Sequence, residues 1–223
     1  LKNIKLVFNN CGLNIDRIIL KPFVEGINLL KKNKTNKNFT VISLEDKRIN
    51  ISLFKNKSYV LTQDFDFGTD LIIQDISKLC SLKISEVEFF LKETDLMSVL
   101  ENDEESCVDS FFFSSSPYRK IKHQLILNII SARLDELIEI CYEKNTNLNY
   151  FRKNNYTIYL VIESFDYFKN IKFALLKNKL IIPEFIIDKN IEDISLLSLN
   201  GAAELIGKGW EKEAIPVIHP KNH

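Results

Sequence analysis

The stretch from Phe67 to Lys92, FGTDLIIQDISKLCSLKISEVEFFLK, constrains the fold more than any other part of the chain. Gly68 and Asp70 stand where a strand pair would hand the chain to a helix. A glycine allows a tight approach there, and an acid suits the positive end of the helix that follows. Asp75 lies one turn further along, and a second short helix is expected over Ile84 to Lys92, with Ser85 and Glu88 spaced as a capping box. Three strand-like runs come first: Phe39 to Leu44, Arg48 to Phe54 and Ser58 to Thr62. Strands feeding helices in this order point to an α/β protein.

The middle run, RINISLF, alternates Ile49, Ile51 and Leu53 with polar neighbours, the pattern of a half-buried strand. Lys55 to Lys57 is a tight polar connection, so the second and third runs should form a hairpin. Upstream, Leu1 to Asn10 carries Leu1, Ile4, Val7 and Phe8 on one helical face, with Gly12 as its stop. Leu13 to Leu20 reads as a short strand, and Pro22 opens a helix to about Lys31, followed by the solvated loop KKNKTNKN. Downstream, Asn102 to Ser110 is an acidic loop and Phe111 to Phe113 a short strand ending in the turn SSSP. Tyr118 to Lys144 reads as the longest helix, because Ile121, Leu125, Ile129, Leu134, Leu137, Ile138 and Cys141 recur at helical spacing. Tyr156 to Ile162 and Leu180 to Ile187 read as strands, and Leu196 to Ile206 as a closing helix.

At 223 residues, with 45% hydrophobic and 27% charged, the chain can bury a real core and is not of the disordered class. Lys+Arg and Asp+Glu number 30 each, so there is no basic footprint for nucleic acid. Cys11, Cys80, Cys107 and Cys141 are scattered, without a CxxC pair or a histidine at ligand spacing, and read as free thiols rather than a metal or disulfide site. No apolar run reaches the roughly 18 residues of a membrane span. The chain begins at Leu1 without a methionine and is expected to be a piece lacking the part before it.

The Phe67 segment resembles the actin-like nucleotide-binding fold, in the form it takes in FtsA, the actin-like family of bacterial cell division. That family runs Gly-Gly-Asp, two variable residues, a hydrophobic or Thr position, then Asp-Ile-Ala; here Gly68, Asp70 and Asp75-Ile76-Ser77 stand in that order. Two further stretches are similar to family passages. CGLNIDRIILKPFVEG resembles the passage into the second half of the fold, and ISARLDELIEI, with Arg133 and Glu136, resembles a family helix usually written Pro-Arg-x-x-Glu-Leu. The resemblance implies an actin-like (ribonuclease-H-like) second lobe with a small inserted α+β subdomain. Residues 1–35 would end the first lobe, 36–79 and 145–207 form the second-lobe core, 80–144 the inserted subdomain and long helix, and 208–223 a tail.

It also implies a site. Gly68, Asp70 and Glu88 would mark a nucleotide site, but a vestigial one. The family's second phosphate loop needs Asp, Gly and Thr, since backbone amides must approach phosphate closely; here Ser43, Glu45 and Ile49 stand at those places. The later adenosine loop is Thr-Gly-Gly-Gly in the family and Ile162, Glu163 and Ser164 here. The ribose-binding Glu-x-x-Lys is off register, because Leu91 follows Glu88 at that spacing and Lys92 comes one residue late. No cofactor is therefore expected, ATP with magnesium being the candidate if one is held, and neither a catalytic residue nor a metal ligand is assigned.

In the family, basic residues of the second-lobe subdomain receive the acidic, apolar tail of FtsZ, the tubulin-like division protein. The resemblance implies that role for Arg119, Lys120 and Lys122, together with self-association into filaments, other division-machinery partners, and a place on the cytoplasmic face of the membrane at the division site. Membrane contact is expected through a partner or through residues beyond His223; Trp210 is expected to pack the tail onto the lobe, and His219 and His223 to do nothing catalytic. Two other readings stay open: a pilus-assembly protein of the PilM type, and an ATP-using enzyme of the sugar-kinase or heat-shock-chaperone type.

Overall fold

The computed structural model describes residues 2–15, 18–32, 37–103, 105–148, 157–162, 185–187 and 194–208. β1 (Phe39–Leu44), β2 (Ile49–Lys55) and β3 (Ser58–Phe65) form an antiparallel meander. On the other side of β1, β4 (Thr157–Ile162) pairs in parallel, and β5 (Phe185–Ile187) pairs in parallel with β4, giving the order β3-β2-β1-β4-β5. The β2–β3 hairpin closes on Asn56 and Lys57 at φ 51° and 66°. Positive φ at both positions gives the turn whose twist matches the strands it joins.

Alternation along β1 divides the core in two. Ile42 and Leu44 pack with Ile49, Ile51 and Leu53 of β2 against α3 (Asp70–Cys80), α4 (Ile84–Glu93) and α6 (His123–Ile138). Phe39 and Val41 pack the other way, with Phe54, Tyr159 and Val161, against Leu29 and Leu30 of α2 (Lys21–Lys32). The closing helix α7 (Ile194–Lys208) lies on α2. A Cβ on Gly201 would fall 2.0 Å from the Val24 carbonyl oxygen, so only glycine lets the two helices cross this closely. Thus α2, within the segment expected to end a first lobe, packs on this sheet. Residues of the 80–144 segment share one core with it through Val87, Phe90, Ile126 and Ile130.

Several local expectations are corrected. α1 (Lys2–Asn10) forms and stops at Gly12, whose φ is 73°, but none of its residues is buried. The strand expected over Leu13 to Leu20 does not form among its described residues; Leu13, Ile18, Ile19 and Leu20 are exposed, and no neighbouring strand takes up the backbone. β2 is covered on both faces rather than half-buried. Its polar positions are satisfied, the Asn50 side-chain amide donating across the hairpin to Thr62 and Asp64 at 2.8 Å and the Ser52 hydroxyl donating along β2 to Asn50 at 2.8 Å. Phe111 to Phe113 is no strand, since Ser110–Phe112 forms a 3-10 turn. A further helix, α5 (Leu96–Asn102), is capped by the Asp95 side chain.

The long helix starts at His123 instead of Tyr118. Residues just before it are held extended, because Val108 donates its amide to the Ile121 carbonyl at 2.8 Å and Cys107 bridges to Lys122. Ile121 is buried from that extended position, while Leu125 faces out. α6 passes into a π-helical turn, Glu139–Glu143, and Asn145 ties its end to β3 by donating to Gln63 at 3.0 Å.

Candidate functional site

The turn between β1 and β2 closes on the start of α3. Thr69 donates its amide to the Glu45 carbonyl at 3.0 Å and Asp70 to the Asp46 carbonyl at 2.9 Å, so two amides at the helix start are spent on the turn. A Cβ on Gly68 would stand 2.2 Å from the Glu45 carbonyl oxygen and 2.7 Å from the Arg48 nitrogen, which explains the glycine. Burial, then the neighbouring Asp46 charge, push the Asp70 carboxyl above its ordinary pKa. Ser43 is buried beside this turn, with its hydroxyl lacking a hydrogen-bond partner among the described residues, and Ile49 begins β2. Glu88 stands half-buried on α4, and among the described residues no hydrogen bond or ion pair joins it to Gly68 or Asp70. Glu163, Ser164, Trp210, His219 and His223 lie outside the described residues, as does much of the strand expected over Leu180 to Ile187.

Asp75 and Arg133, read in separate motifs, meet. The Arg133 Nε donates to the Asp75 carboxylate from α6 to α3, and an Arg133 terminal nitrogen donates to Glu136. These residues line an open cleft of about 300 Å³ with Leu79, Asn128 and Ala132.

The third assembly surrounds the SSSP turn. The expected capping box at Ser85 and Glu88 sits two residues off: the N-cap is Lys83, and its amide donates to the Glu86 carboxylate at 2.9 Å. Glu86, passed over in the sequence, is buried, and its Oε1 also accepts the amides of Ser115 and Ser116 at 2.7 and 2.9 Å and the Ser114 hydroxyl at 3.4 Å. Its Oε2 accepts the Ser116 hydroxyl. Burial raises its pKa, but the Ser116 hydroxyl and the amides of Ser115, Lys83 and Ser116 outweigh that and hold it at about 2.

Beyond the turn, Tyr118, Arg119 and Lys120 are exposed on an irregular segment, not on the first turn of a helix. Aromatic rings form two groups around the turn. Phe89 packs on Phe111 and Phe112 with centroids 5.6 and 5.4 Å apart, and Phe113 packs edge-on against Tyr118 at 5.1 Å. Phe111 is 70% exposed, Tyr118 57% and Phe89 40%, so both groups present rings to solvent. Lys122, the third cation expected here, is paired with Glu105, which raises its pKa. His123 is buried instead, stacked on Phe90 and bonded through Nδ1 to the Ser106 hydroxyl at 2.9 Å; burial lowers its pKa. The signal that could have found Glu86 is its place on an apolar stripe: Glu86, Val87, Phe90 and Leu91 form the buried side of α4.

This strand order and its covering helices are those of an actin-like fold. In structure the chain is similar to the apo ParM protein of pSK41, with TM-score 0.52 and 15% identity, covering 87% of this chain and 51% of that one. An archaeal actin homologue aligns with TM-score 0.49 and 15% identity over 86% of this chain and 56% of its own. In sequence the chain is similar to the cell division protein FtsA of Bacillus subtilis (strain 168), 25% identical over 144 residues, or 65% of this chain and 33% of that protein. It is 22% identical to FtsA of Neisseria meningitidis serogroup B over 139 residues, 62% of this chain and 34% of the relative. The chain thus spans about a third of the length of the curated relatives it matches. No known family profile matches it.

Proposed function

We propose that this chain is part of an FtsA-like cell-division scaffold, one that links FtsZ filaments to the cytoplasmic face of the membrane at the division site and self-associates. The observation that carries this reading is a pair of exposed features joined through the serine turn: the rings of Phe89 and Phe111 on one side, and Tyr118, Arg119 and Lys120 on the segment that follows the turn. Rings that accept apolar side chains, next to cations that attract carboxylates, suit an acidic and apolar peptide such as the FtsZ tail. Similarity to two FtsA proteins supports the cell-division setting. Among the described residues no helix is long and apolar enough to cross a membrane.

Nucleotide has a poor place here. The first α3 amides are spent on the turn, and the Asp46 and Asp70 carboxylates stand near each other there. We assign weak or no ATP binding, with Gly68, Asp70 and Glu88 as relics. Titration of the full-length protein with Mg-ATP is expected to give a Kd weaker than about 10 μM; tighter binding would overturn the assignment.

The partner is tested with a synthetic FtsZ tail peptide. Reversing both cations (R119E/K120E) is expected to weaken binding at least tenfold while leaving the melting temperature nearly unchanged, since both side chains are exposed. Unchanged affinity would move the peptide elsewhere or remove FtsZ as the partner.

A further inference from the structure

One carboxylate holds the turn that leads into the proposed docking segment. Three of the donors to Glu86 are main-chain amides and two are serine hydroxyls, so no donor is charged. Bonds from the Ser115 and Ser116 amides fix the path of the backbone, not merely a side chain. Pro117 follows at once, with its own φ locked and the residue before it restricted, so little freedom remains between the clasped turn and Tyr118. The same helix that carries Glu86 carries Phe89, one turn away on the exposed side. Glu86 therefore references the Tyr118 to Lys120 segment to the ring it must stand beside.

Resting on the docking role given above, we propose that Glu86 is a positioning residue for recognition of an acidic, apolar peptide. It sets the spacing between the exposed rings of Phe89 and Phe111 and the cations at Arg119 and Lys120. It touches no part of the peptide. Its contribution is preorganisation: a segment already held in its binding path loses less freedom when the peptide arrives. Glutamine at this position keeps the shape of the side chain but offers one oxygen in place of two, and turns an NH2 toward donors. The clasp loosens without a cavity opening.

The test uses full-length protein, a fluorescent FtsZ tail peptide as probe, and amide hydrogen exchange over the serine turn. Glu86→Gln is expected to bind at least tenfold more weakly, with faster exchange at Ser115 and Ser116. Glu86→Asp should recover part of the affinity, and Ser116→Ala, which removes one donor on the surface side, should lose about threefold. Ile76→Val is the control, a mild core truncation in α3 whose affinity should match wild type despite a lowered melting temperature. Wild-type affinity in the Gln variant, or an equal loss in the Ile76 control, overturns the positioning role and leaves the docking reading standing. If the Gln variant does not fold, wild-type affinity in Ser116→Ala overturns it. Failure of the wild-type protein to bind the peptide removes the docking reading itself, and this role with it.

Discussion

Asp75 and Glu86 both tie elements on the same side of the sheet, and they reach that end with different partners. Asp75 on α3 meets a guanidinium, Arg133 on α6, where the two side chains remain 21% and 25% exposed. Glu86 on α4 is 2% exposed and meets only neutral donors. A charge pair that water still reaches is screened, and holding two long side chains in one geometry costs entropy, so such pairs contribute little. A buried carboxylate that satisfies several amides sits where each bond is electrostatically strong and where removing the acceptor strands every donor at once. The ion pair is therefore expected to be the weaker of the two ties.

Removing the acceptor is the hardest way to break that contrast. Glu86→Ala leaves the amides of Lys83, Ser115 and Ser116 to find water and should cost about 3 kcal/mol in chemical denaturation. A loss below 1 kcal/mol would mean that solvent replaces the carboxylate freely. The next effect is on pH. The Glu86 pKa is held at about 2 in the folded chain against an ordinary 4.5. Between those values the unfolded chain binds more protons than the folded one, so stability contributed by Glu86 is complete above pH 4.5 and drains away as pH falls toward 2. Denaturation midpoints measured from pH 6 down to pH 3 should fall more steeply for wild type than for Glu86→Gln; parallel slopes would deny the carboxylate its role. The smallest effect belongs to the other tie. Arg133→Ala should cost no more than about 1 kcal/mol, and less in high salt. A larger loss would make the Asp75 pair a true anchor of α6.

What could be read from the sequence follows from how far apart the cooperating residues lie. The meander was legible because its signals are local: apolar runs, and a polar connection whose Asn56 enters positive φ readily. The actin-like fold was legible from the order of loose motifs. The contact between two of them, Asp75 with Arg133, was not, since no spacing rule links separate helices. The helical period runs past the true start of the long helix because Ile121 obeys it while being buried next to an extended bridge. Leu13 to Leu20 has the composition of a strand, and among the described residues no strand pairs with it. Glu86 was hidden by distance, its serine partners lying about thirty residues downstream. Arg119 and Lys120 were legible as charges, while the packing of Phe89 on Phe111 needed the fold to bring the two rings together.

The parallel pairing of β1 with β4 has a kinetic consequence. β1, β2 and β3 follow one another closely and can zip together through local contacts, whereas β4 is separated from β1 by most of the helical layer. Closing so long a loop must be repaid before the pairing returns any stability, so contacts of this order form late. The strand that ends as the middle of the sheet, buried along its whole length, therefore spends the early part of folding as an open edge. Until β4 arrives, Phe39 to Leu44 is expected to be open to another chain's strand, a hazard that ends when the parallel pairing forms.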